Sequence, residues 1–306
     1  MYKPTEFRST CPPWAFLLLP LILLFSSCQS STGPTTNGSN LSGTLYFNAN
    51  NMSGNGSTDI IALNMSSGST KRIVTGQDPS VSSDQKVIFD ELDLQETSLT
   101  GTSTRTIAIQ SPDASTDYPH SSYADPQVSP NGKYVAYSES LFTNQVYVVN
   151  RTDGALAVSV VATVGGYSAP SWSPDGRLVV QGGYRNPGLF VIDALFKTIT
   201  KIPGSFDNAQ YPRVSPDGSL ILFTMNGNIY SVHLDGSSLR TIIADGNTYA
   251  RPIWSPDMKE IAFGLNSEID YADVASGTIH NLEDVYKNVF NNYHNNLRTT
   301  LQMDWK

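Results

Sequence analysis

Cysteine is nearly missing from this chain: of 306 residues, only Cys11 and Cys28 are cysteines. Once a leader carrying Cys11 is removed, one thiol remains and no internal disulfide can form. Histidine is scarce as well. His120, His233, His280 and His294 include no pair at metal-ligand spacing, so neither a zinc site nor a histidine acid–base pair is legible. The nearest phrase to a Gly-x-Ser-x-Gly nucleophile elbow is Gly166-Tyr167-Ser168-Ala169-Pro170, which lacks the last glycine. No glycine-rich phosphate loop is present. The expectation is a chain that is not an enzyme and holds no cofactor and no metal. Positive charge is also short, with 19 Lys and Arg against 27 Asp and Glu, a net charge of −8. The acidic excess is not gathered in a tail. Nucleic acid is therefore not an expected partner, because phosphate binding needs a basic surface.

The long apolar runs come down to one, from Trp14 to Phe25, preceded by Lys3 and Arg8. It is too short to cross a bilayer as a helix but suits the core of a secretory signal. It ends in Ser26-Ser27-Cys28. Apolar residues, small residues and then a cysteine resemble a bacterial lipobox, with Phe25 where leucine is usual. The resemblance implies cleavage before Cys28 and lipid on its thiol, the role expected of a lone cysteine in an exported chain. Several acyl chains would hold the protein on a membrane without crossing it. Residues 28–43 are rich in Ser, Thr, Gly and Asn and read as a flexible tether. The expected organisation is a lipoprotein signal peptide over 1–27, the tether over 28–43 and a folded unit over 44–306.

That unit is written around one phrase. Tyr211-Pro212-Arg213-Val214-Ser215-Pro216-Asp217-Gly218 precedes the apolar run Leu220 to Phe223, and the same words recur from Pro126 and Pro170, with worn copies from Pro79 and Pro252. Ser-Pro-Asp-Gly suits a type I turn, and the β-branched and aromatic flanks make each copy strand, turn, strand. The repeated Asp is expected to serve the turn rather than a metal. The residues two after each proline are Val81, Val128, Trp172, Val214 and Trp254, with Trp305 as a weaker sixth match, spaced 47, 44, 42, 40 and 51 residues apart. Periods near that size with several short strands mark propeller blades.

The ends complete the count. Thr44 to Phe47, Asp59 to Asn64 and Lys71 to Val74 match the second to fourth strands of a blade, and Thr300 to Lys306 supplies a first strand with nothing after it. Pairing the two ends closes a ring of six four-stranded blades and removes its free edges. The repeats Pro-x-Trp-Ser-Pro-Asp-Gly are similar to those of TolB-type propellers, from Thr44 to the end of the chain. The resemblance implies an all-β, six-bladed β-propeller and leaves the role open, since such propellers serve many.

In a four-stranded blade the Ser-Pro-Asp-Gly turns share one rim, the turn rim, with the third-to-fourth connections. The more varied second-to-third and inter-blade connections form the other, the variable rim, where binding is expected. Tyr123, Tyr167 and Tyr249 sit three residues ahead of their prolines and Tyr211 one ahead. They are expected to ring the channel mouth near Asp125 and Arg251, with Tyr184 and Arg185 as a second cluster on the same rim. Tyrosines around a concavity suit a peptide or sugar; tyrosine also packs well between strands. The expected function is a lipid-anchored, non-enzymatic envelope module that binds a protein, peptide or glycan. In a Gram-negative host, Gln29 after the lipidated cysteine favours the outer membrane, facing periplasm or surface. The alternative is an envelope enzyme or sensor taking a small molecule or sugar in the channel, with His120 and His294 as the residues to test.

Overall fold

A computed structural model describes residues 41–50, 57–91, 93–108, 123–139, 145–160, 167–266, 268–287, 297 and 302–306. The lipidation candidate Cys28, the signal and most of the tether lie outside these residues, as do His120 and His294. Six antiparallel sheets of four strands each follow one another around an axis. The first blade is composite: Asp304–Trp305 is its innermost strand, followed by Thr44–Asn50, Thr58–Asn64 and Thr70–Thr75. In the other five blades the innermost strands are Gln77–Val81, Tyr123–Val128, Tyr167–Trp172, Gln210–Val214 and Ala250–Trp254. Each of these six strands neighbours the next, and Asp304–Trp305 lies against both Ala250–Trp254 and Gln77–Val81, so the ring is closed. The join pairs Leu45 with Trp305 and Tyr46 with Asp304.

The core lies between blades rather than within them. Strand Leu220–Met225 shows why: Ile221 and Phe223 pack with Val179 and Leu189 of the fourth blade, and Leu222 packs with Ile261 and Phe263 of the sixth. A middle strand is thus covered on both faces, which is why the sequence is apolar at consecutive positions there. Six such clusters fill the six blade interfaces. Tryptophans two after the repeat proline also bridge backbones: Trp172 Nε1 donates to Gln127 O at 2.9 Å and Trp254 Nε1 to Arg213 O at 3.1 Å.

The repeated Asp serves the turn. Ser215 Oγ donates to Asp217 Oδ1 at 2.6 Å and accepts from Leu220 N at 2.9 Å; Ser129 does the same with Asn131 and Tyr134 at 2.8 and 2.9 Å. These bonds hold Asp217 below its ordinary carboxylate pKa. Near the C-terminus, Asn281 caps a short helix, Leu282–Val285, by accepting from Glu283 N at 2.7 Å. Leu282 and Tyr286 bury against the first blade, with the Tyr286 hydroxyl on Met65 O.

Candidate functional site

Two layers of side chains line the ring's axis, and both come from the innermost strands. The upper layer, nearer the variable rim, is made by the residue before each repeat proline. A residue in that position is ordinarily extended. Here Asp78, Asp125, Ala169, Tyr211 and Arg251 all have φ between 48° and 55°, a left-handed conformation costing about 1–3 kcal/mol each for a non-glycine residue. Each sits in a bulge where the strand register shifts, for example between Gln210 and Arg213. Bulges of this kind re-aim side chains. The neighbouring blade holds the bent backbone: Asp78 N donates to Asn48 Oδ1 at 3.2 Å, Ala169 N to Ser138 Oγ at 2.9 Å and Tyr211 N to Gln181 Oε1 at 3.1 Å.

This upper layer closes the channel. Arg251 of the sixth blade forms an ion pair with Asp125 of the third, directly across the ring, and its guanidinium lies 4.9 Å from the centre of the Tyr211 ring. Gln302 of the first blade donates Nε2 to Pro79 O and Pro126 O, both at 2.9 Å, and its backbone N to Asp78 Oδ1 at 2.6 Å. Burial pulls the Arg251 pKa down and the Asp78 charge opposes it.

Below this bolt the channel widens into a cavity of about 720 Å³ that opens at the turn rim. Its lower layer comes from the residue after each proline or its equivalent: Ser80, Gln127, Ser171, Arg213, Ile253 and Asp304. Most of this layer's polar groups stitch one blade to the next. Ser80 Oγ accepts from Val128 N at 3.1 Å, Ser171 Oγ from Val214 N at 2.9 Å and Asp304 Oδ2 from Val81 N at 2.6 Å. Arg213 has no acceptor to offer. It donates Nη1 to Pro170 O at 3.2 Å, and burial lowers its pKa to about 10 against the opposing charges of Asp304 and Asp78.

At Tyr249 the expected place on the channel mouth is corrected by this geometry. Tyr249 is buried between blades, edge-on to Phe263 at 5.0 Å, because the position three before the proline faces the blade interface. Its hydroxyl donates to Asp245 Oδ2 at 2.5 Å. Tyr211 lies under Arg251, and Asp125 and Arg251 are spent on each other rather than displayed at a mouth. The side chains of Tyr123 and Tyr167 lie outside the described residues. Tyr184 and Arg185 are exposed at the turn between Leu178–Gly182 and Gly188–Ile192 on the variable rim, with Tyr184 97% accessible. The residues missed were Arg213, Gln302 and Asp304. Reading down the column after each repeat proline would have isolated Arg213 as its one cation. Among the described residues no cluster of three or more His, Cys, Asp or Glu could hold a metal ion.

Six four-stranded blades around an axial cavity define a β-propeller. The family profile described as the TolB beta propeller domain matches residues 117–288, more than half of the sequence, and the chain belongs to that family. No curated protein matches the chain. Among solved structures, a candidate TolB from Agrobacterium tumefaciens superposes with a TM-score of 0.59 at 18% identity, covering 80% of this chain and 89% of that one. A chain of a nidogen/laminin complex gives 0.60 at 12% identity, covering 78% and 92%. An oligogalacturonate lyase from Vibrio parahaemolyticus gives 0.53 at 12% identity, covering 78% of each. At these identities the likeness is one of fold.

Proposed function

We propose that this protein is a non-enzymatic binding module of the bacterial cell envelope, anchored by lipid on Cys28 and tethered through residues 28–43, whose propeller receives a protein, peptide or glycan at the turn-rim end of its channel. The observation that carries this reading is the blind cavity: closed above by the Arg251–Asp125 pair and Gln302, open below, with polar and apolar groups on its wall. A concave site on a rigid scaffold with a few placed polar groups suits ligand capture. Membership of the TolB propeller family and the fold shared with a chain of the nidogen/laminin complex support a binding role. The fold shared with oligogalacturonate lyases supports the second reading, an enzyme acting on a sugar in the channel.

A photo-crosslinking residue placed at Ser83, on the cavity wall, and separately at Tyr184 in native envelope discriminates these. Crosslinks to a discrete partner from Ser83 are expected. Crosslinks from Tyr184 alone would move the site to the variable rim, and turnover of acidic sugars without any crosslink would favour the enzyme. Anchoring is read by metabolic labelling with radioactive palmitate, which Cys28→Ser abolishes if the cysteine carries the lipid.

A further inference from the structure

Arg213 is the one cation of the cavity's lower layer. It is 91% buried, its relative accessibility being 9%. Of its five N–H donors, one meets an acceptor among the described residues, the Pro170 carbonyl. No carboxylate among the described residues forms an ion pair with it. The closest candidate by position, Asp304, is engaged elsewhere: one oxygen takes the Val81 amide at 2.6 Å and the other faces Lys306 Nζ at 3.4 Å. Arg213 also occupies a layer position whose counterparts Ser80, Ser171 and Asp304 bind the next blade's backbone, a stitch that a guanidinium cannot make. Its remaining donors are not among the buried atoms left without a partner, and the residue lines the cavity, so they are open to it.

Resting on the binding reading above, we infer that the cavity recognises a carboxylate on a peptide inserted from the turn rim, with Arg213 as the residue that receives it. The planar guanidinium offers two parallel donors matched to a carboxylate. A monoanion suits the site better than a phosphate dianion, because Asp304 stands in the same layer and would repel the second charge. Lys306, half-exposed at the mouth, favours the approach of an anion. Around Arg213 the wall alternates apolar and polar groups, Val81, Ile253 and Met303 with Ser80 and Gln127. That mixture accommodates a peptide's backbone and side chains next to its charge. The carboxylate comes either from a chain terminus or from an acidic side chain.

Three of the four tryptophans, Trp172, Trp254 and Trp305, line the cavity, so intrinsic fluorescence of the full-length protein in detergent reports occupancy. Three N-acetylated tripeptide pools serve as probes: one with free C-termini, the same pool amidated, and an amidated pool carrying one glutamate. A change with the free-acid pool and none with its amide assigns a chain terminus; a change with the glutamate pool alone assigns a side chain. In either case Arg213→Gln weakens binding about tenfold or more and Arg213→Lys by less, since lysine keeps charge but not the paired donors. An equal change with the free-acid pool and its amide, or an Arg213→Gln variant that binds as the parent does, overturns the inference. Should Arg213→Gln fail to fold by circular dichroism, Asp304→Asn tests the same chemistry: removing the like charge tightens carboxylate binding about threefold, and unchanged or weaker binding overturns it. Ser83 crosslinks that persist while every pool fails would sink the carboxylate and leave the binding module standing; loss of both would sink both.

Discussion

Gln85 and Met258 stand where three other copies of the turn carry glycine. Their φ values of 60° and 62° match the left-handed geometry of Gly132, Gly176 and Gly218. The turn therefore imposes its backbone even where the residue resists it. Gln85 is exposed, so Gln85→Gly should relieve strain without opening a hole and raise stability by about 1 kcal/mol in urea unfolding. Asp90 makes a second residue-level case. Burial, with Asp78, Asp93 and Glu91 nearby, pushes its pKa from 3.8 to about 8. Below about pH 4 the carboxyl is protonated in folded and unfolded chains alike. As pH rises, the unfolded chain ionises first, so stability falls between about 4 and about 8 and then levels. Asp90→Asn should flatten that part of the profile, gaining more at pH 8 than at pH 5. Equal gains at both would mean that the aspartate ionises normally. The turn phrase was readable residue by residue, because Ser, Pro, Asp and Gly act locally; the Asp90 environment was not, because its neighbours are assembled by the ring.

At the scale of the blade, what joins the second and third blades is a charge network in addition to the apolar interface. Arg151, at the third-to-fourth turn of the third blade, donates Nε to Glu96 Oε2 at 2.5 Å and Nη2 to Asp84 Oδ2 at 3.0 Å, both in the second. Arg105 shares Glu96 at 3.1 Å. Arg151 and Glu96 are nearly inaccessible, at 8% and 9% of their side chains. Removing one member of such a pair strands the other: Arg151→Ala should cost about 3 kcal/mol or more in denaturant unfolding. A loss under 1 kcal/mol would mean that Arg105 and solvent take over Glu96. Strand positions followed from alternation and turns, so the strand predicted at Asp59 to Asn64 is found at Thr58–Asn64. The strand that carries the repeat proline begins at Gln210, and the bulge inside it, between Gln210 and Arg213, follows the neighbouring blade rather than its own sequence.

The whole molecule depends on a join between its two ends. Thr44 N and Lys306 O, and Lys306 N and Thr44 O, bond at 2.5 and 3.0 Å beside the two strand pairs. Gln302 and Asp304 from the same five residues also hold the channel. Deleting residues 302–306 should open the ring, expose the edge of Thr44–Asn50 and leave an aggregation-prone chain with a broad, early thermal transition. A truncated chain that melted as sharply as the intact one would mean that five complete blades suffice. At the other end of the axis, Arg251→Ala should destabilise the neck by about 3–5 kcal/mol, because Asp125 is left buried and alone.

The sequence by itself determined the blade count, the order of strands and the closure. These rest on local turn chemistry, two-residue alternation and a repeat period, all properties of neighbours along the chain. It also carried the family, through the same turn phrase. Only the tertiary structure decided which end of the channel is open. Left-handed bulges before the prolines turn Asp125 and Arg251 toward each other across three blades, Tyr249 sinks between sheets, and Arg213 is left facing a cavity. Those outcomes depend on contacts between residues more than a hundred positions apart, as with Arg251 and Asp125. No local pattern encodes them, because the closing of the ring brings them together.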